Sequence, residues 1–296
     1  MTPNSTPRAG ARLAIVALAG MLPMISGCSA ILANAVQTRQ VEQRSFTVQG
    51  QPEVVVETFN GAIRVEAVSG GKIDAMVTKT GAGRNQEAAE SQLDQVKVDF
   101  AQEGDTVRIV ARRSGPSLFG SSGAEIDLRL PPGSSLKLTT SNGELAAHGV
   151  QGGVVARSSN GQIDVIGGAG KLDLETSNGR IIVEASGAQL DARSSNGNVS
   201  FAGTLSKGSH RLHTSNGNIH LGLPSADSLQ FAASTSNGTV KSGFEGLQTL
   251  QGKPGGHHWS ASTASGDGAA IDVELETSNG NIRVEPLRPA EAPATR

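Results

Sequence analysis

The sequence predicts an all-β protein, a single-chain parallel β-solenoid with about 18–21 residues per coil and a small helix-plus-hairpin insert near its N-terminal end. Three observations carry this. The phrase Ser-Asn-Gly recurs at Asn142, Asn160, Asn178, Asn196, Asn216, Asn237 and Asn279, with spacings of 18, 18, 18, 20, 21 and 42 residues. A fixed period near twenty marks a repeat architecture. Apolar residues lie two apart on both sides of each Asn, as with Leu172 and Leu174 before Asn178 and Ile181 and Val183 after it, which is the pattern of short half-buried strands. The 296 residues include 38 Gly, no Tyr and one Trp, so the core is thin and aliphatic and the corners are rich in glycine.

The last spacing, 42, is twice 21, and one copy is expected to have been overwritten between Asn237 and Asn279. Two architectures fit the apolar pattern. An antiparallel meander would make each Asn-Gly a hairpin loop, whereas a solenoid makes it a corner with successive copies stacked about 4.8 Å apart. The position three before Asn reads Arg157, Glu175, Arg193. Alternating sign favours immediate neighbours, hence the parallel stack. At the corner Asn tolerates, and Gly supplies, the left-handed backbone of a tight turn. Stacked Asn side chains would then hydrogen-bond from coil to coil, as in other amide ladders.

Residues 1–27 read as a lipoprotein signal peptide: Arg8 and Arg12 give a positive start, and an apolar run from Leu13 to Met24 follows that is too short to span a bilayer. Ile25-Ser26-Gly27-Cys28 resembles the lipobox of bacterial lipoproteins, which implies lipidation (a diacylglyceryl group, palmitate) at Cys28 and cleavage before it. Cys28 is the only cysteine, so no disulfide forms within the domain. Ser29 rather than Asp after it resembles the pattern sent to the outer membrane of a two-membrane bacterium.

Residues 28–43 read as a spacer after the lipidated Cys. Residues 44–135 hold N-terminal strands, with an early Phe59-Asn60-Gly61 copy, a helix over Arg84 to Val96 and a hairpin turning through Glu103-Gly104-Asp105. Helix and hairpin are placed to cover the first open edge of the stack. Residues 136–285 are the regular array, and residues 286–296, with three prolines, read as a disordered tail that cannot continue a ladder.

These features together resemble a family of bacterial envelope lipoproteins with Asn-Gly β-strand repeats, known as "putative adhesins" and as a domain of unknown function. The resemblance covers roughly Arg44 to Val284 and implies a right-handed parallel β-solenoid. It brings no catalytic residues.

The net charge of −2 lacks the basic excess that nucleic acid requires. His210, His213 and His220 flank Asn216 without the matched spacing of a metal site, so no metal and no cofactor are expected. The carboxylates, among them Asp164, Asp173, Glu175, Glu184 and Asp191, fall at different columns and interleave with Arg, so no enzyme is expected. The candidate for partner binding is the stretch 242–270, where the phrase is lost and His257, His258 and Trp259 sit among glycines. The function these features suggest is a non-catalytic adhesive, binding or scaffolding surface, anchored to the membrane through Cys28 and facing an envelope protein or glycan. The alternatives are an envelope-stress sensing or regulatory lipoprotein and a glycan-acting β-helix enzyme. Oligomeric state is left open.

Overall fold

The computed structural model describes residues 35–115, 120–263 and 271–287. Cys28 lies outside them. Each Asn corner joins a strand that leads into it to a strand that leaves it, so the chain lays down two facing sheets. In the coil of Asn178, Lys171–Thr176 enters the corner and the first half of Ile181–Ser194 leaves it. Ile181–Ser194 then bends across the far side and supplies the entering strand of the next coil, which ties the two sheets together. Equivalent strands pair in parallel and in register: Leu172 sits beside Val154 and Leu190, and Ile181 beside Ile163 and Val199.

The inward residues are those the alternation picked out. Leu172, Leu174, Ile181, Val183, Leu190 and Val199 are at most 1% exposed, and they form one continuous aliphatic core between the sheets. Among the described residues, Phe201 and Phe231 are its only fully buried aromatic side chains.

The order of coils departs from the order of the chain at both ends. From one end it runs 106–130, Asn60, Asn142, Asn160, Asn178, Asn196, Asn216, Asn279, Asn237. Between the Asn237 and Asn279 coils the described residues form a hairpin in place of a further coil. The doubled spacing arises because the chain completes the Asn237 coil, makes a hairpin, and returns to lay the Asn279 coil inside it. At the other end the Asn60 coil lies between the later 106–130 coil and the Asn142 coil. The stack therefore begins well before residue 136.

The helix forms over Gln86–Asp94, with Asn85 as its N-cap accepting from the Ala88 N–H at 2.9 Å. It packs on Lys72–Gly83, where Gly81 and Gly83 leave room for its backbone. Val96–Glu103 pairs antiparallel with Thr106–Arg113 as the expected hairpin. The spacer expected over 28–43 is corrected in part: Val36–Thr47 is a strand, antiparallel to Lys72–Gly83 along its whole length. Being an edge strand it is bound by backbone hydrogen bonds and half exposed, so it needs no apolar alternation. Pro286 and Leu287, expected in the tail, are part of the stack. Pro286 closes the strand Ile282–Pro286, and the Leu287 N–H donates to Leu223 O at 2.9 Å. Proline can end a ladder because only its missing N–H is lost. Residues 288–296 lie outside the described residues.

Candidate functional site

The stack brings the seven predicted corner residues into one line. Each Asn donates its Nδ2–H to the Oδ1 of the neighbouring coil: Asn160 to Asn142 at 2.9 Å, Asn178 to Asn160 at 2.8 Å and Asn196 to Asn178 at 2.9 Å. The line continues with Asn216 to Asn196 at 2.9 Å, Asn279 to Asn216 at 2.8 Å and Asn237 to Asn279 at 2.9 Å. The amides follow the spatial order of the coils, with Asn279 ahead of Asn237.

The reason for Gly at the corner differs from the one expected. Neither these Asn residues nor the glycines that follow them have a positive φ. Glycine is required because consecutive corners nearly touch. A Cβ built on Gly179 would lie 2.6 Å from the carbonyl carbon of Gly161 and closer still to its oxygen. The same collision recurs at Gly143, Gly161, Gly197, Gly217, Gly238 and Gly280. That carbonyl oxygen is satisfied by a column the sequence reading passed over, the hydroxyl residue two before each Asn. Thr176 donates to Gly161 O at 2.9 Å, Ser194 to Gly179 O at 2.8 Å and Thr214 to Gly197 O at 2.8 Å. These side chains are buried, and a buried carbonyl without a donor is costly. The signal was present, since all seven phrases have Ser or Thr at that place.

The outward face of the entering-strand sheet carries a run of charges. Arg157, Glu175 and Arg193 are immediate neighbours in register, as the alternation of sign implied. Arg157 meets Asp173 at 2.8 Å and Glu175 at 3.2 Å, and Arg193 meets Asp191 at 2.5 Å. The hydrogen bond from Arg157 holds the Asp173 carboxyl below its usual range against the opposing effect of burial. Further along, Arg211 meets Glu274 at 2.5 Å. An open groove of about 650 Å³ crosses this face, lined among others by Lys171, Asp191, Arg211, Asp272 and Glu274.

Beneath the groove His210 takes a place in an apolar column and is buried. Leu190 N–H donates to its Nδ1 at 3.1 Å, so Nε2 carries the proton and donates to Ser206 O at 2.8 Å. The ring is neutral, and burial pushes its pKa below the ordinary 6.5 despite the Ser206 carbonyl and nearby Asp272.

Of the candidate stretch 257–259, Trp259 lies inside the core rather than at the surface. Gln248–Gly252 and His258–Ser262 form an antiparallel hairpin, and the second strand pairs with Leu229–Asn237 to cover that end of the entering-strand sheet. Trp259 points inward, 4% exposed. It meets Phe231 edge-on, with centroids 5.2 Å apart, and donates its indole N–H to Thr249 Oγ1 at 3.2 Å. A large ring is what a stack of small aliphatic side chains needs to close its last layer. His257 and His258 are exposed beside it. Among the described residues no group of three or more His, Cys, Asp or Glu could hold a metal ion, and no helix is long and apolar enough to cross a membrane.

A two-sheeted stack of short parallel strands, with amide corners and no regular helix in its coils, defines a class of β-solenoid-like domains. Residues 134–285 match the family model described as Toastrack DUF4097. The chain belongs to that family. Solved structures to which the chain shows similarity include a "putative adhesin" from Parabacteroides distasonis, 15% identical with TM-score 0.42, covering 83% of this chain and 97% of that one. A "putative adhesin" from Bacteroides fragilis is 13% identical with TM-score 0.35 and the same coverages, 83% and 97%. A "putative cell adhesion protein" from Clostridium sporogenes is 11% identical with TM-score 0.35, covering 83% of this chain and all of that one. No curated protein matches the chain.

Proposed function

We propose that the chain is an exported, lipid-anchored envelope protein whose stack serves, without catalysis, as an adhesive or scaffolding surface for an envelope protein or glycan. The observation that carries this reading is the groove on the entering-strand sheet. Its floor is hydrogen-bonded backbone of five adjacent coils, so a ligand laid along it orders little that is not already ordered. Arg211 and Glu274 neutralise each other there. Lys171 and Asp272 make no salt bridge among the described residues, which leaves one charge of each sign to orient a ligand.

The anchor at Cys28 and the outer-membrane location rest on the lipobox resemblance and on Ser29. Two or more acyl chains give stable attachment. The right-handed sense of the coil belongs to the same reading.

The test is attachment of cells, or of purified protein to isolated envelope, with Lys171→Ala/Asp272→Ala. Binding should drop at least tenfold with an unchanged melting temperature, and full binding would reject the groove. Cys28→Ala should release the protein from the membrane fraction. Retention of a mature form there would reject the anchor.

A further inference from the structure

Two columns of outward side chains border the groove on the entering-strand sheet, and they differ in what they leave free. In the column five before each corner Asn the charges satisfy one another. Asp173 is held by Arg157 at 2.8 Å, Asp191 by Arg193 at 2.5 Å, and Arg211 by Glu274 at 2.5 Å.

The column seven before each Asn runs, in spatial order, Lys171, Gln189, Ser209, Asp272, Gln230. Lys171 pairs with Gln189, Ser209 with Asp272 and Asp272 with Gln230, while the pairing of Asp191 with Arg211 sets Gln189 next to Ser209. All five are exposed and line the groove. Among the described residues none of these side chains makes a hydrogen bond or a salt bridge. At about 4.8 Å per coil, three steps put Lys171 and Asp272 about 14 Å apart. Between them stand an amide and a hydroxyl, each able to donate and to accept.

A cation, two donor-acceptor groups and an anion in a line match a ligand with a carboxylate, a run of amides and an ammonium in the same order. An extended peptide rises about 3.3 Å per residue, so four residues hold their two termini about 13 Å apart. Each exposed charge contact is weak alone, and the two reinforce each other only when the ligand spans the gap between them. The lining has no aromatic ring on which a sugar could stack. We propose that the groove takes a short extended peptide of about four residues with free termini, its carboxylate at Lys171, its ammonium at Asp272 and its amides against Gln189 and Ser209. This rests on the reading of the groove as the binding surface and names its ligand.

The test is calorimetric titration of the full chain carrying Cys28→Ser with tetra-alanine. The peptide with free termini should bind saturably. Acetylating its amine and amidating its carboxyl should weaken binding at least tenfold, and so should shortening it to di-alanine, which cannot reach both charges. Lys171→Asp should abolish binding, and Lys171→Asp/Asp272→Lys should restore it to within severalfold because the peptide can lie in the reverse direction, with the melting temperature unchanged in both variants. Equal binding of the capped peptide, a charge-exchanged double variant no better than Lys171→Asp, or binding of chitotetraose in place of tetra-alanine would overturn the proposal. The groove itself is judged separately. Envelope attachment lost in Lys171→Ala/Asp272→Ala, with no binding of tetra-alanine by the parent, would remove the peptide and keep the groove, whereas tetra-alanine bound as expected, with attachment unaffected in that variant, would keep the peptide site and remove its role in attachment.

Discussion

Gly179→Ala places one methyl group at the middle of the corner stack, where its Cβ would lie 2.6 Å from Gly161 C and 3.0 Å from Thr176 Oγ1. The first neighbour is backbone, held in both sheets on either side, so it cannot swing away as a flexible side chain would. Relief requires the two coils to separate locally. Overpacking of this kind costs about 1–3 kcal/mol. Separation also stretches the 2.9 Å bond from Thr176 to Gly161 O, and a hydrogen bond contributes about 1 kcal/mol net. The expected loss is about 2–4 kcal/mol. Each kcal/mol shifts the melting temperature by about 2–4 °C in a domain of this size. Gly71→Ala is the control, because a Cβ there meets only Val48 O at 3.5 Å and its φ is not positive. Urea melts of the two variants against the parent decide the matter. A Gly179→Ala protein as stable as Gly71→Ala would refute close stacking as the reason for glycine.

Asn178→Ala removes two amide bonds, one given and one received, whereas Asn142→Ala removes one from the end of the line. Losses of about 1–2 and about 0.5–1 kcal/mol are expected by denaturant unfolding, and equal losses would contradict a continuous ladder. Trp259→Ala should cost about 3–5 kcal/mol as a buried aromatic deletion, while His257→Ala and His258→Ala leave the melting temperature unchanged; the reverse ranking would restore the stretch as a surface site. His210 is neutral in the fold with its pKa lowered mainly by burial. The unfolded chain therefore takes up a proton that the folded chain refuses, and stability should fall as pH drops below about 6.5. The slope should diminish in His210→Leu, and an identical pH profile would assign it elsewhere.

The sheets were legible because burial between two facing sheets imposes period two on every strand that enters or leaves a corner. The parallel stacking was legible from Arg157, Glu175 and Arg193, whose signs make sense only between neighbours. Coil order was not, since Val273 and Leu275 satisfy the same columns as Phe231 and Ala233. Only Glu274, Glu276 and Glu285, set against Arg211, His213 and His220, mark the difference, and that match appears once the register is known. Val36–Thr47 escaped notice because an edge strand needs backbone partners rather than buried side chains. Trp259 was misread because its rarity suggested a function, although Trp259 and Ala261, two apart and both buried, repeat the strand pattern. Glycine at the corner fits a left-handed turn and a close approach equally well, and composition does not separate the two.

Coil order is tested most directly by where a corner disulfide forms. Neighbouring coils bring Cα atoms about 4.8 Å apart, within disulfide reach, and a second neighbour lies beyond the limit of about 7 Å. In monomers carrying Cys28→Ser, oxidation should link Asn216→Cys to Asn279→Cys and leave Asn216→Cys with Asn237→Cys unlinked. Linkage of 216 to 237 with none between 216 and 279 would contradict the inserted coil.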